Sequence, residues 1–363
     1  MRTAFLGVVL MAVSGLPGFT LPVPGASFLP APLFFIMDGQ VYRLARDGFA
    51  LSRVTDEPFP VESFDVSPVT GHVVLVAGNS LILLERNGER RVLLSGPELP
   101  PAETGVEPFN DRFRVAGRIA TPRWSPDGGS IAFVHDGLIA MELPSGVVTT
   151  VHSNNQLPPP GENWDALVFR SVEEWSPDGE RILVTTYNFP LTSLHHVSMG
   201  IKELSGHRGL FHVAESAVSF GWSGDGQELY LGNPDFGGQS SLCRLGPPDW
   251  SCLLLGEEVP ARNYWFYSHP CVAHDGDVRV FVSMGQDPVS SQGWYTLYRV
   301  DHRGFGMTAL REERFTVSDA LWAPSGIGVL LVDDQQRLSW IPAGDGRIRN
   351  LPVSGASMLR WGH

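Results

Sequence analysis

The chain has 363 residues, of which 43% are hydrophobic, and its formal net charge is −13 at pH 7. This composition excludes a disordered chain, because it supplies enough apolar surface for a large core. The acidic balance argues against a nucleic-acid partner, because no basic stripe is present to displace the counterions of a phosphate backbone. The 40 glycines and 29 prolines punctuate the apolar runs, as in a chain of many short strands joined by turns.

The N-terminal segment is typical of a signal peptide. One positive charge, on Arg2, precedes an apolar run from Ala4 to Leu16, and Pro17 and Gly18 follow the run. The run is short for a transmembrane helix. No cysteine lies near it, which argues against a lipoprotein anchor.

We expect residues 1–26 to contain the signal peptide and the start of a linker, and residues 27–31 to complete that linker. The protein is then periplasmic or secreted. The alternative is a protein anchored by an uncleaved N-terminal segment. No other stretch of the sequence is long and apolar enough to insert into a membrane.

A short motif recurs along the chain, and each copy precedes an apolar run of three to five residues. The strong copies read Trp-Ser-Pro-Asp-Gly twice, then Trp-Ser-Gly-Asp-Gly, then Trp-Ala-Pro-Ser-Gly. The copies begin at Trp124, Trp175, Trp222 and Trp322, with weaker ones at Val66 and Val272. From Trp124 onward, successive copies lie 47 to 51 residues apart, which is slightly long for a propeller blade.

The motif predicts a strand that ends in a tight reversal. The Trp ring is large and flat enough to pack between neighbouring sheets, Pro sets φ for the first turn position, and Asp-Gly supplies the partly left-handed turn. The apolar run that follows is continuous rather than alternating, which indicates a strand buried on both faces. Radially stacked sheets meet that condition, because each sheet lies between two others.

Together, the four Trp-containing copies resemble the TolB-type propeller repeat, which is also found in the propeller domains of prolyl oligopeptidase relatives. The resemblance covers about residues 32–363 and implies a β-propeller. The chain departs from these families in two respects. We expect neither the separate N-terminal α/β domain of TolB nor a hydrolase domain after the propeller.

We predict an all-β fold, a β-propeller of seven four-stranded blades over residues 32–363. Blade 1 is expected to combine a first strand at 357–362 with three strands between Leu33 and Val54, so that both ends of the chain close the ring. The other blades are expected at 61–97, 116–152, 165–214, 215–257, 262–311 and 316–352. The alternative is six blades, if one of the weak motif copies does not form a blade.

The three cysteines include a closely spaced pair. If residues 246–249 form a four-residue hairpin loop, Leu245 lies opposite Trp250 and Cys243 lies opposite Cys252. The two thiols are then within reach of a disulfide in an oxidising compartment. Two buried free thiols are the alternative, and the third cysteine has no evident partner.

The long connections of the predicted propeller emerge on one face. In a blade whose strands run outward from the axis as A, B, C and D, the A–B and C–D turns lie on one face and the B–C and D–A connections on the other. The Trp-containing A–B turns are short. The long segments belong to the other kind of connection: 96–117, 153–165, 187–193, 232–239 and 284–293.

Large amphipathic residues occur along these connections, and such residues dominate binding interfaces. The candidate partner-binding residues are Phe109, Arg112, Phe113, Trp164, Phe189, Phe236, Tyr264, Trp265 and Trp294. The alternative for any one of them is that it folds down onto the blades. For the face as a whole, we expect binding of a protein, peptide or glycan of the cell envelope or exterior.

The sequence contains no Gly-x-Ser-x-Gly elbow, no His-Glu-x-x-His pair and no phosphate-binding loop before a helix. We therefore predict no catalytic residue, metal site or cofactor. Adjacent strand residues point to opposite faces, which argues against His195-His196 as a chelating pair and Glu173-Glu174 as a catalytic carboxylate pair. His269 and Cys271 could share a face, but Pro270 interrupts that strand.

These observations favour a binding scaffold over an enzyme. The alternative is a lyase or hydrolase with a metal in the central funnel. A third interpretation is a purely structural component of an envelope complex.

Overall fold

The computed structural model of the chain describes residues 27–98, 117–143, 145–153, 167–189, 196–205, 209–214, 219–233, 241–255, 264–285, 294–301, 306–344 and 346–362. These residues form seven four-stranded antiparallel sheets arranged as the blades of a ring. The seven-blade prediction is therefore confirmed, and the six-blade alternative is wrong. Among the described residues, the one helical segment is the 3-10 turn Pro324–Gly326, and no helix there has the length and apolar character needed to span a membrane.

The strands of the first half of the chain are β1 (Leu33–Met37), β2 (Gln40–Leu44), β3 (Leu51–Arg53), β4 (Val61–Val66), β5 (Val73–Ala77), β6 (Ser80–Leu84), β7 (Arg90–Ser95), β8 (Ile119–Trp124), β9 (Ser130–His135), β10 (Gly137–Glu142), β11 (Val148–Ser153), β12 (Leu167–Trp175), β13 (Arg181–Phe189), β14 (His196–Glu203) and β15 (Phe211–Ala214). Those of the second half are β16 (Phe220–Trp222), β17 (Leu229–Gly232), β18 (Leu242–Leu245), β19 (Leu253–Leu255), β20 (Tyr264–Val272), β21 (Val278–Gly285), β22 (Thr296–Val300), β23 (Met307–Ala309), β24 (Asp319–Trp322), β25 (Gly328–Val332), β26 (Arg337–Pro342), β27 (Arg349–Ser354) and β28 (Ser357–Trp361).

Each blade pairs four strands in order from the axis outward. Blade 1 is β28-β1-β2-β3, and blades 2 to 7 take four consecutive strands each, starting at β4, β8, β12, β16, β20 and β24. The first strand of each blade is the innermost, because β4 contacts β8, β8 contacts β12, and β16 contacts β20 across the blade boundaries. The predicted order of strands within the blades is therefore confirmed.

Blade 1 is completed by both ends of the chain, as predicted. Leu33 pairs with Trp361 and Phe34 pairs with Arg360, so that β28 lies against β1 on the axial side. The Gly362 N–H continues this contact with a 2.7 Å hydrogen bond to the Pro32 carbonyl. The last strand of the chain thus closes the ring.

The core is divided into seven apolar clusters, and each cluster lies between two neighbouring blades. Between blades 1 and 2, for example, Phe34 and Val41 pack against Phe64 and Leu75. This arrangement explains the continuous apolar runs in the sequence. Both faces of every sheet are buried, because each blade contributes to the cluster on either side of it.

The A–B turns have one repeated geometry. In blade 3 the Asp127 carboxylate accepts hydrogen bonds from Ser125 Oγ at 2.5 Å and from the Gly129 N–H at 2.9 Å. Gly128 between them has φ +68°, a left-handed conformation that favours glycine. These hydrogen bonds hold the pKa of Asp127 below its usual value, with Ser125 as the largest cause.

Two of the Trp residues that precede these turns form hydrogen bonds to the neighbouring blade. Trp175 Nε1 donates to the Arg123 carbonyl at 3.1 Å, and Trp322 Nε1 donates to the His269 carbonyl at 2.7 Å. Each acceptor belongs to the innermost strand of the preceding blade. The motif therefore fixes both the turn and the contact with the neighbouring sheet.

The pair Cys243 and Cys252 forms a disulfide in blade 5. The strand register differs from the expected one, because Cys243 lies opposite Leu254 and not opposite Cys252. The loop is longer than four residues: Trp250 has φ +55°, donates its N–H to the Gly246 carbonyl, and turns its ring into the core. The disulfide is therefore diagonal across the β18–β19 pair.

Candidate functional site

Two faces of the ring differ in their connections. The Trp-turn face carries the A–B and C–D turns, including the turns that follow Trp124, Trp175 and Trp222. The loop-bearing face carries the B–C and D–A connections, including those that follow β7, β11, β13, β17, β19 and β21. The longest connection, between β7 and β8, runs from residue 96 to residue 118 on the loop-bearing face.

Five of the candidate partner-binding residues lie outside the described residues: Phe109, Arg112, Phe113, Trp164 and Phe236. Trp294 lies just before β22, where the connection from β21 returns from the loop-bearing face, and 59% of it is exposed. Its position agrees with the expectation that an aromatic residue is presented there.

The remaining three candidates belong to strands, and the expectation that they lie in loops is wrong. Phe189 pairs with Leu167 at the end of β13, while Tyr264 and Trp265 pair with Gly285 and Met284 at the start of β20. The reason is that the first two strands of blades 4 and 6 continue further toward the loop-bearing face than the apolar runs in the sequence indicate.

The length of the described innermost strand varies around the ring. β12 starts at Leu167, eight positions before Trp175, and β20 starts at Tyr264, eight positions before Val272, whereas β16 starts two positions before Trp222. Six extended residues correspond to roughly 15 to 20 Å. The first strands of blades 4 and 6 therefore extend far toward the loop-bearing face, and we call β12, β13, β20 and β21 the raised strands. The residues that flank β16 and β17 on this side, 215–218 and 234–240, lie outside the described residues.

Blade 5 packs closely against blade 6. A Cβ added to Gly232 would collide with the Tyr267 carbonyl oxygen, and one added to Gly221 would collide with the Pro270 carbonyl oxygen. The Asn233 side chain completes this contact by accepting from the Tyr267 N–H at 3.0 Å and donating to the Tyr267 carbonyl at 2.7 Å. Blades 5 and 6 are therefore joined by close backbone packing as well as by hydrogen bonds.

A second constellation lies near the axis, toward the Trp-turn face. The residue immediately before the Trp, or before the Val that replaces it, is charged in four consecutive blades. These residues are Arg360, Asp65, Arg123 and Glu174, in blades 1 to 4. At the same position, blades 5, 6 and 7 carry Gly221, Cys271 and Leu321. We call these seven residues the axial ring.

Three charged members of the axial ring reach toward the next blade. Arg360 Nε lies 3.3 Å from Asp65 Oδ1, and Asp65 Oδ2 accepts the Trp124 N–H at 2.8 Å. Arg123 Nε donates to the Glu173 carbonyl at 2.7 Å. Positive and negative charges alternate around this part of the axis, and each lies beside an opposite charge or an opposed dipole.

The surrounding protein shifts the pKa values of Arg123 and Glu174 in the axial ring. Burial lowers the pKa of Arg123 to about 10, and the nearby Arg360 acts in the same direction. Desolvation by the surrounding protein raises the pKa of Glu174 to about 7, against the opposing influence of Arg360 and Arg123. The Glu174 side chain nevertheless retains contact with solvent.

Glu173 and Glu174 lie at a β-bulge, because the register of β12 against β13 shifts between Val172 and Glu174. The bulge therefore interrupts the alternation of side chains between the two faces of the strand. The argument against this carboxylate pair depended on that alternation. The axial ring itself was missed in the sequence. Aligning the motif copies and comparing the residue before each Trp would have found it.

Blade 6 contributes His269 and Cys271 to the same region. His269 has φ +51° in a bulge of β20, and its Nε2 lies 3.6 Å from Asp319 Oδ1. Burial raises the pKa of Cys271 to about 12, which keeps the thiol protonated at neutral pH. In the part of the chain that the structure describes, no group of three or more His, Cys, Asp or Glu residues is placed to hold a metal ion.

No family model matches the chain, and no curated protein matches it in sequence. Among solved structures, it is similar to the tricorn protease, with 12% identity and a TM-score of 0.57 over 92% of this chain and 34% of that one. It is also similar to the β-propeller domain of the Trilobed protease from Pyrococcus furiosus, with 13% identity and a TM-score of 0.51 over 91% of this chain and 99% of that one.

TolB from Acinetobacter baumannii is a further structural neighbour, with 16% identity over 89% of this chain and 78% of that one, but its TM-score of 0.44 is too low to support an inference. The chain spans about a third of the tricorn protease. At these identities the likeness is one of fold alone. The comparisons therefore place the chain among β-propellers and assign it no activity.

Proposed function

We propose that this protein is an exported β-propeller scaffold that binds a protein, peptide or glycan partner through its loop-bearing face. The observation that carries the proposal is the difference between the connections on the two faces of the ring. The connections between blades and the raised strands of blades 4 and 6 all emerge on that face, whereas the Trp-turn face carries short hydrogen-bonded turns. Rigid scaffolds present binding residues on loops in this way.

The raised strands of blades 4 and 6 are the proposed centre of the binding surface, because they reach far toward the loop-bearing face. Strands that are paired within a sheet lower the entropic cost of binding, because little of their backbone must be ordered when the partner arrives. Trp294, on blade 6, supplies an exposed aromatic side chain on this face.

Export is supported by two features. The N-terminal sequence has the pattern of a signal peptide. The disulfide between Cys243 and Cys252 is a feature of proteins that fold in an oxidising compartment, such as the periplasm or the cell exterior.

Affinity capture from the extracytoplasmic fraction of the source cells tests the proposal. The bait is the mature protein, and the test variant combines Phe113→Ala, Trp164→Ala and Trp265→Ala, three of the candidate partner-binding residues. The control variant combines Val69→Ala with Val147→Ala, two exposed side chains in turns of the Trp-turn face. We expect the test variant to lose a partner that the wild type and the control retain. Equal capture by all three proteins would contradict the assignment of the face.

A further inference from the structure

The outermost strand of blade 5 buries little apolar surface. β19 contains only three residues, of which Leu253 is 52% exposed and Leu254 is 62% exposed, while Leu255 is buried. Short edge strands with few buried contacts open more readily than the rest of a fold. We call residues 246–255, which comprise the C–D loop of blade 5 and β19, the outer segment.

One side chain of the outer segment reaches into the core. Trp250 is 2% exposed, and its ring meets that of Trp222 edge-on, with 6.0 Å between the centroids. The guanidinium of Arg181, on blade 4, lies 5.3 Å from the centroid of the Trp250 ring. Trp250 therefore joins the outer segment to blade 4 and to the cluster between blades 4 and 5.

Two features oppose the burial of Trp250. Its φ of +55° is a left-handed conformation, which is costly for a bulky side chain. Its Nε1 is buried and has no acceptor among the described residues, and a buried donor without a partner is unfavourable. The favourable burial of the ring is therefore offset in part by the backbone and by the indole N–H.

The disulfide lies two residues after Trp250. Cys243 is 1% exposed and belongs to β18, whereas Cys252 is exposed. The bond fixes the outer segment to β18 immediately beside the residue with the left-handed backbone. Closing a loop of this length covalently favours the closed state by roughly a hundredfold. One half of the bond is nevertheless open to solvent.

We propose that this disulfide is a redox-sensitive switch, and that its reduction releases the outer segment, with Trp250, while the ring stays folded. Release leaves β18 as the open edge of blade 5 and exposes part of the cluster between blades 4 and 5. The switch does not depend on the partner site proposed for the loop-bearing face.

The reductant is a dithiol. Its first thiolate attacks the Cys252 sulfur, the S–S bond breaks, and the Cys243 sulfur leaves as a thiolate that takes up a proton. The second thiol of the reductant loses its proton and attacks the mixed disulfide. Cys252 then leaves as a thiolate and takes up a proton. Two electrons pass to the protein, and the dithiol is oxidised to a disulfide.

Hydrogen exchange of the mature protein tests the release, measured by mass spectrometry before and after reduction with dithiothreitol. A thiol count on the same samples confirms that reduction is complete. We expect the backbone amides of the outer segment to exchange roughly a hundredfold faster after reduction. The β6–β7 hairpin of blade 2 is the internal control, because it is a C–D hairpin that contains no cysteine, and its exchange should not change.

The Trp250 ring supplies a second measurement. In protein labelled with 5-fluorotryptophan, Trp250→Phe identifies the 19F resonance of Trp250. We expect this resonance to acquire the H2O/D2O solvent isotope shift of an exposed ring after reduction. The resonance of Trp340, a buried ring in blade 7, should show no such change.

Two cysteine variants keep the result specific. Cys252→Ser should show the released state without reductant, and Cys271→Ser should behave as the wild type does, because Cys271 is not part of the bond. The proposal is overturned if the fully reduced wild type keeps slow exchange in the outer segment and a buried Trp250. It is also overturned if exchange in the blade 2 hairpin accelerates by the same factor, because the opening is then global.

Discussion

Arg360 Nε lies 3.3 Å from Asp65 Oδ1, and this ion pair joins the last strand of the chain to the first strand of blade 2. On the other side of β28, Trp361 Nε1 donates to the Trp322 carbonyl of blade 7 at 2.7 Å. The closing strand is therefore fixed to both neighbouring blades as well as to β1. Closure of the ring depends on side chains from the final residues of the chain.

Trp361→Ala should destabilise the protein by about 3 kcal/mol, because it removes both a large packed ring and the hydrogen bond to blade 7. The midpoint of urea unfolding measures the effect. Trp294→Ala is the matched control, because the Trp294 side chain is exposed, and it should change stability by less than about 0.5 kcal/mol. Equal midpoints for the wild type and Trp361→Ala would show that the closing strand is dispensable.

Gly221→Ala should destabilise the fold by about 3 kcal/mol, because the added methyl group collides with the Pro270 carbonyl and forces blades 5 and 6 apart. Gly224 lies in the A–B turn of the same blade, and a Cβ added there meets nothing within 4 Å. Gly224→Ala is therefore the control and should be nearly neutral. Thermal unfolding of the two variants side by side makes the comparison, and a neutral Gly221→Ala would contradict the close packing of these blades.

Reduction of the disulfide should lower the stability of the wild type. The bond joins residues nine positions apart, and closing a loop of that length contributes about 2 to 3 kcal/mol. Adding dithiothreitol should therefore lower the melting temperature of the wild type and leave that of Cys252→Ser unchanged. Thiol titration of the denatured, unreduced protein should find one free thiol, that of Cys271, and a count of three would show that the bond does not form.

The stability of the protein should depend on pH through Glu174. The pKa of Glu174 in the folded protein is about 7, above the ordinary value of 4.5, mainly because the surrounding protein desolvates the carboxylate. The contribution of Glu174 to the free energy of unfolding is therefore most favourable below pH 4.5, and it is lost as the pH rises through 7. The difference in melting temperature between Glu174→Gln and the wild type should grow in favour of the variant from pH 5 to pH 8. Glu180→Gln should show no such trend, and a constant difference for Glu174→Gln would refute the raised pKa.

The architecture could be predicted from the sequence because the Trp-containing turns combine several local signals. Pro, Asp and Gly each determine one backbone feature of the turn, and the continuous apolar strand that follows requires sheets on both sides. The composition of blade 1 from both ends of the chain could be predicted because one strand at 357–362 and three strands between Leu33 and Val54 were left without a complete blade. These signals are local, so they can be read without knowledge of the neighbouring blades.

The bulges near the axis and the length of the strands in blades 4 and 6 could not be predicted in the same way. The bulges at Glu174 and His269 depend on how inner strands of different blades crowd around the axis, which alternation along one strand does not reveal. The sequence predicts loops at Phe189 and Trp265, because Pro, Gly or polar residues lie close to each of them in the chain. Their strands continue because their backbone pairs with the neighbouring strand of the same blade.

Site-directed photo-crosslinking tests the proposed binding face most directly. The photoreactive residue p-benzoylphenylalanine is incorporated in place of Trp294 on the loop-bearing face or, as the control, in place of Ile327, which is exposed on the Trp-turn face. After irradiation of intact source cells, we predict a discrete crosslinked adduct from position 294 that is absent from position 327. An adduct from position 327 alone, or none from position 294, would contradict the claim that the loop-bearing face binds the partner.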